Sequence, residues 1–400
     1  MIAVIQPGKL SGTVRAPASK SAAHRALIAA ALADAPTLLR MEGGNRDIEA
    51  TVSCLRALGA RIEAAPEGLR VAPGRAPARA DLDCGESGST LRFLLPVACA
   101  LGVNARITGR GRLPARPNAD LTGALRAHGA AIDSDALPMT ACGPVSAGLW
   151  TLPGDVSSQF VTGQLLALPL LEGNSEIALT TPLQSAAYVD MTLKMLLRFG
   201  VAAETTEFGW RVPGGQRYRS PGTVEIEGDW SAAAFWLAAN AMGSDIRVTG
   251  LPEDTAQGDR AVVPLLGRRE IDVSGVPDLA PALAVAAAAR PHRTIITGAA
   301  RLRIKESDRL AAIADLLGAL GGSAEIRADE LIIEGGRTLR GGTVNGCGDH
   351  RIVMAAAIAA TIAEGPVRVT DAEAAAKSYP GFFRDFEELG GRVYVEQPGR

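Results

Sequence analysis

Two kinds of helical signal recur along this chain. In one, apolar residues fill nearly every position: 279–289 and 352–363 have no polar face, so such helices must be buried on all sides. In the other, an amphipathic stretch stops at glycine and runs into a strand. It occurs as Leu55-Arg56-Ala57-Leu58-Gly59, Leu125-Arg126-Ala127-His128-Gly129, Leu197-Arg198-Phe199-Gly200, Leu316-Leu317-Gly318-Ala319-Leu320-Gly321 and Phe386-Glu387-Glu388-Leu389-Gly390, with a weaker copy at Leu265-Leu266-Gly267. These glycines are 70, 71, 67, 54 and 69 residues apart. The polar openings of the apolar helices, near Lys20, Ser87, Ser158, Asp229, Asp278 and Asp349, are spaced by 67, 71, 71, 49 and 71. Two independent markers with one period predict six copies of an α/β unit of about 67 residues. Strand-like runs at 12–16, 223–227 and 294–297 alternate with the helices. Natural joints near Pro17-Ala18-Ser19 and Glu227-Gly228-Asp229 leave three repeats between them and three after, which suggests two similar halves.

The helix openings carry Ser, Asp or His, which suit N-caps beside exposed backbone N–H groups. Six such ends facing one cleft would make a basin for phosphates and carboxylates. The competing reading is six ordinary caps whose ends point apart, and the pattern alone favours it. Composition narrows the field: 47% hydrophobic and 21% charged residues exclude wholesale disorder, and 400 residues suit two or three domains. A net charge of −2 speaks against nucleic acid or an anionic membrane as partner, and 4% aromatics are too few for single-strand stacking. The longest uncharged apolar run, 352–363, is short of the ~20 residues that cross a bilayer. The opening residues 1–6 have no basic stretch ahead of their apolar one, and five cysteines without a Cys-x-x-Cys pair suit reduced thiols. A cytoplasmic, multi-domain protein is expected. Only five of the 41 basic residues are Lys (9, 20, 194, 305, 377), a hint that arginine cannot replace some of them.

Several motifs are missing: a Gly-x4-Gly-Lys-Ser/Thr loop, Gly-x-Gly-x-x-Gly opening a helix, a metal-type His or Cys spacing, and a Gly-x-Ser-x-Gly elbow. That leaves a reaction without metal or cofactor, or none. Ser19-Lys20-Ser21-Ala22-Ala23-His24-Arg25 leads into a helix expected over 26–33 and reads either as anion binding or as a solvated first turn. Arg301-Leu302-Arg303-Ile304-Lys305-Glu306-Ser307-Asp308-Arg309 precedes a helix over 310–320 and packs four cations into nine residues. There Glu306 is a candidate acid, or simply the partner of Arg309 in a surface ion pair. Asp278, Asp349-His350-Arg351 and Ser157-Ser158-Gln159 read as caps or as ligands, and Arg92 and Arg116 as anion ligands or surface cations.

Taken in order along nearly the whole chain, Ser19-Lys20-Ser21, Gly88-Ser89-Thr90, Ala115-Arg116-Pro117, Ser157-Ser158-Gln159, Lys305-Glu306-Ser307-Asp308-Arg309 and Asp349-His350-Arg351 resemble the 5-enolpyruvylshikimate-3-phosphate synthase family. The resemblance implies an inside-out α/β barrel fold of two domains, each three βαβαββ units: 1–18 with 229–400, and an inserted 19–228, with the active site in the cleft between. It implies that Lys20, Ser21, Arg25, Ser157, Ser158, Ser185, Asp278 and Lys305 hold shikimate 3-phosphate, with Gln159 at the join between substrates and Lys20 counted also among the catalytic residues. Lys20, Gly88, Arg116 and Lys377 would meet the phosphate end of phosphoenolpyruvate, and Arg309 and Arg351 its carboxylate. Asp278 corresponds to the base for the 5-hydroxyl and Glu306 to the acid that protonates the methylene carbon. No metal, cofactor, nucleic acid or membrane is implied, and a monomer is expected.

Two departures stand out. Glu86 replaces an Asn common in the family's turn, and Arg301 stands where Asn is frequent, so neither is given a role; Gly88 keeps the glycine associated with glyphosate sensitivity. Enolpyruvyl transferases acting on UDP-N-acetylglucosamine share the fold, but have Lys-Asn in place of Lys20-Ser21 and a Cys on a loop matched here by the Cys-free 111–116. A non-catalytic anion-binding protein on the same scaffold is the rival from another class.

Overall fold

In the computed structural model, which describes residues 1–396, the chain divides into two compact units. Unit 1 holds Met1–Pro17 and the chain from Gly228 onward; unit 2 is Ala18–Glu227. Of the anticipated segment 229–400, residues 397–400 lie outside those described. Each unit encloses its own apolar core. No helix among the described residues is long and apolar enough to cross a membrane.

The repeat is visible in the sheets. In unit 2, Arg79–Asp83 pairs in parallel with Asn104–Thr108, which pairs antiparallel with Met139–Cys142, itself the partner of Ala131–Ile132. Helix Gly88–Ala100 joins the first two strands and helix Ala119–Ala127 leads into the hairpin, so the order is βαβαββ. Among the described residues, five four-stranded sheets follow this plan. Chain closure is by borrowed strands. Thr223–Glu225, at the end of unit 2, supplies the parallel edge beside Thr37–Arg40 near its start. Ile2–Gln6 completes the last sheet of unit 1 between Val367–Val369 and Arg392–Glu396.

The remaining repeat, fourth along the chain, is reduced. Ser11–Arg15 and Asp245–Thr249 form a parallel pair without a hairpin, and the second helix there, Val262–Leu265, has four residues. That shortening accounts for the spacings of 49 and 54 and for the weak glycine copy. Gly59, Gly129, Gly200, Gly321 and Gly390 all take positive φ at helix ends, whereas Gly267 does not. The apolar helices are buried throughout: every residue of Ala280–Ala288 and of His350–Ala360 is inside. The helix expected over 26–33 runs instead over Lys20–Ala31. The apolar run marks its buried body, but the cap at Ser19, whose Oγ accepts from the Ala22 amide at 3.4 Å, sets its start.

Candidate active site

Unit 2 brings three helix openings together. Ser19, Ser87 and Ser157 cap helices Lys20–Ala31, Gly88–Ala100 and Ser158–Ala167. Lys20 Nζ lies 2.9 Å from the Asp47 carboxylate, and the Asp47 carbonyl accepts from Thr90 Oγ1 at 3.4 Å, in the first turn of the second helix. Ser89, one residue earlier, accepts from Gln159 Nε2 of the third at 2.9 Å. Within this unit the openings therefore converge, and being caps does not keep them apart.

Arg25 is buried in that unit. Its guanidinium donates to Thr192 Oγ1 at 2.8 Å, the Ser21 carbonyl at 2.6 Å, the Tyr188 carbonyl at 2.8 Å and Thr162 Oγ1 at 3.3 Å, and it lies over Phe93. Burial lowers its pKa to about 10, so it stays charged at neutral pH. His24 beside it bonds Thr51 at 2.7 Å, and burial drives its pKa down to about 3, which removes it from proton transfer near neutrality. Ser158 is buried and Ser157 and Gln159 are half-buried. Ser185, 3% exposed, takes the left-handed conformation (φ 57°, ψ 44°) ahead of helix Ala186–Arg198, a strained backbone for a non-glycine residue. Gly88 touches Arg116: a Cβ added there would fall 2.7 Å from Arg116 Nη1. The Glu86 carboxylate rests against Gly111.

Unit 1 gathers carboxylates and cations into one network. Arg309, 1% exposed, donates to Asp278 Oδ1 at 2.8 Å, Glu306 Oε2 at 2.7 Å and Asp349 Oδ2 at 2.8 Å. Arg351 Nη2 reaches Asp278 Oδ2 at 3.0 Å, and Lys305 Nζ lies 3.3 Å from Asp278 Oδ1. Burial alone would raise the Asp278 pKa, but Arg351, Lys305 and Arg309 outweigh it and hold the carboxyl well below the usual range. Lys305 moves the other way: burial outweighs Asp278 and lowers its pKa to about 8. Asp278 caps no helix, in contrast to Asp349, which accepts from the Arg351 amide at 2.9 Å. The crowded cations of 301–309 are accommodated by separate partners: Arg301 donates to the Ser274 carbonyl and Arg303 to the Ala328 carbonyl. Lys377 is buried at the end of the 3-10 turn Ala372–Lys377.

The family model described as EPSP synthase (3-phosphoshikimate 1-carboxyvinyltransferase) matches residues 4–386. The chain belongs to the EPSP synthase family. A 3-phosphoshikimate 1-carboxyvinyltransferase of Clostridium kluyveri is 41% identical over 97% of each chain. One of Halobacterium salinarum is 40% identical, covering 98% of this chain and 99% of that one. Among solved structures, an EPSP synthase from Acinetobacter baumannii superposes with a TM-score of 0.83 at 27% identity, over 99% of this chain and all of that one.

Against this EPSP synthase background, three buried residues were not singled out by sequence reasoning for what they do. Asp47 holds Lys20, Asp349 holds Arg309 as well as capping its helix, and Arg92 is not a surface cation but 4% exposed and bonded within unit 2. For Asp47 a signal existed: it shares a helical face with Thr51, Cys54 and Leu55, an inward position for a carboxylate.

Proposed function

We propose that the protein transfers the enolpyruvyl group of phosphoenolpyruvate to the 5-hydroxyl of shikimate 3-phosphate and releases inorganic phosphate. The observation that carries this reading is one guanidinium, Arg309, bridging Asp278 and Glu306 with Lys305 and Arg351 beside them. Addition across the double bond of an enol phosphate needs an acid and a base close together, and two highly anionic substrates need cations. Ser21, Arg25, Ser157, Ser158, Ser185 and Lys305 are assigned to shikimate 3-phosphate, with Gln159 at the join. Lys20, Gly88, Arg116 and Lys377 are assigned to the phosphate of phosphoenolpyruvate, and Arg309 and Arg351 to its carboxylate.

The chemistry follows from these groups. Glu306 gives a proton to the methylene carbon, the central carbon becomes electrophilic, and the 5-hydroxyl oxygen adds to it while Asp278 takes its proton. The tetrahedral intermediate then expels phosphate, which carries off the proton that Asp278 took, and the Glu306 carboxylate takes a proton back from the methyl group, restoring the carbon–carbon double bond of the enol ether. A substrate carboxylate arriving at Arg309 and Arg351 shares cations that Asp278 and Glu306 otherwise hold. A carboxyl group that loses part of its cation rises in pKa, which makes Asp278 a stronger base. The same reading takes the protein to act as a cytoplasmic monomer on small molecules, without a metal.

The test is phosphate release from phosphoenolpyruvate in the presence of chelator, with shikimate 3-phosphate or UDP-N-acetylglucosamine as acceptor. Release with shikimate 3-phosphate alone is expected, and Asp278→Asn and Glu306→Gln should each lower kcat by about a hundredfold or more. Release only with the nucleotide sugar would overturn the acceptor; release with neither would leave a binding protein.

A further inference from the structure

Arg92 lies in the second turn of helix Gly88–Ala100 with its guanidinium inside unit 2. A buried cation is costly unless its N–H groups find acceptors. Here Nη1 donates to Gln159 Oε1 at 2.8 Å, Nη2 to the Pro117 carbonyl at 2.8 Å and Nε to Asn118 Oδ1 at 3.2 Å, above the Phe160 ring. One of these bonds reaches Gln159, assigned to the join between the substrates, and the other two hold the residues that follow Arg116, assigned to the phosphate of phosphoenolpyruvate.

A guanidinium only donates, so the Gln159 oxygen must face it. The amide nitrogen then points the other way, with one N–H given to Ser89 Oγ at 2.9 Å. Its second N–H is what Gln159 offers to a ligand: a donor, suited to an anionic oxygen. On the other side, Arg92 holds Pro117 and Asn118, and Asn118 Nδ2 donates to the Arg116 carbonyl at 3.0 Å. The Arg116 backbone is thereby fixed while its guanidinium rests on Gly88. The local backbone is adapted to this arrangement. Pro96, four residues on, has no N–H for the Arg92 carbonyl. Gly163 lets helix Ser158–Ala167 close onto that carbonyl, where a Cβ would overlap it, and this close approach puts Gln159 within reach of both Arg92 and Ser89.

We propose that Arg92 is a positioning residue that orients the Gln159 amide and the Arg116 backbone toward phosphoenolpyruvate. The inference rests on the function proposed above. Lysine keeps the charge but cannot serve three divergent acceptors from one plane. In Arg92→Lys, the KM for phosphoenolpyruvate should rise about tenfold or more, that for shikimate 3-phosphate less than about threefold, with a melting shift of a few degrees. Adding Gln159→Met to Arg92→Lys should cost less than about twofold further, because both changes remove one interaction. The two KM values rising in parallel with a collapse of the melting temperature would overturn the inference, as would unchanged constants or additive effects. The Gln159 side-chain amide signal in the nitrogen-15 spectrum, assigned through Gln159→Met, supplies a readout without substrate. It should move and broaden in Arg92→Lys; an unmoved signal would sink the positioning role even if the wild type turned over neither acceptor. Absence of turnover by the wild type with that signal shifted would instead count against the function alone.

Discussion

Lys305 is the titratable cation nearest Asp278, and burial has lowered its pKa to about 8 against the ~10.4 of an exposed lysine. As pH rises through about 8 the folded protein loses this charge, while the unfolded chain keeps it to about 10.4, so the cost of burying the ammonium is relieved across that window. Function should run the opposite way: kcat/KM for shikimate 3-phosphate should fall above about pH 8, since that parameter reports groups of the uncombined protein. Lys305→Arg should push this alkaline limb beyond pH 9 or so, and a limb that stays in place would assign it to another group. Gly88 gives a second expectation. An added methyl meets the end of a flexible side chain, Arg116 Nη1, so Gly88→Ala should fold normally yet raise the phosphoenolpyruvate KM by about tenfold, read in steady-state kinetics with a melting curve alongside. Motif order along the chain brought out Lys305, Glu306 and Arg309, because they are neighbours in sequence. It could not say that Arg309 would hold a carboxylate 40 residues away, or that Arg92 would be gripped by partners 26 and 67 residues away. Such bonds are set by packing, which local pattern does not encode.

Among elements, the helix His350–Ala360 shows how one side chain can serve fold and site together. Asp349, fully buried, caps it through the Arg351 amide and pairs with Arg309, while Ser307 Oγ donates to the same carboxylate at 3.0 Å. Removing it in Asp349→Ala leaves Arg309 without one of its three carboxylates and the helix without its cap, at a cost of about 3–5 kcal/mol. Asp349→Asn retains the shape and a capping oxygen, so it should cost clearly less stability while still lowering kcat. Calorimetric melting of both variants separates the two effects, and equal losses would mean that the charge, not the cap, dominates. Helix and strand alternation, the glycine stops and the capped openings were all legible because they obey local rules. Helix starts were less so: at Lys20–Ala31 the polar first turn hid behind the apolar run. Sheet partners were not legible at all where the chain borrows strands, since Thr223–Glu225 pairs with Thr37–Arg40 across most of unit 2.

That borrowing makes the two units unequal in a way that can be measured. Unit 2 is one continuous stretch, Ala18–Glu227, with its own core and with its first sheet closed by its own last strand. Unit 1 depends on both ends of the chain. Without 1–17, Asp245–Thr249 loses its parallel partner Ser11–Arg15, and Val367–Val369 and Arg392–Glu396 lose the strand Ile2–Gln6 that lies between them. The core of unit 1 would also lose Ala3, Ile5, Leu10 and Val14, all buried against helices of the long segment. Unpaired strand edges beside exposed apolar surface favour association over folding. A fragment of residues 18–227 should therefore be monomeric and melt in one cooperative transition, whereas a fragment of 228–400 should aggregate or lack such a transition. Adding a peptide of residues 1–17 should restore folded circular dichroism to the second fragment, since the missing strands supply pairing and apolar side chains at once. A cooperative melt of 228–400 by itself would show instead that its helices carry the unit and that the N-terminal strands only decorate it.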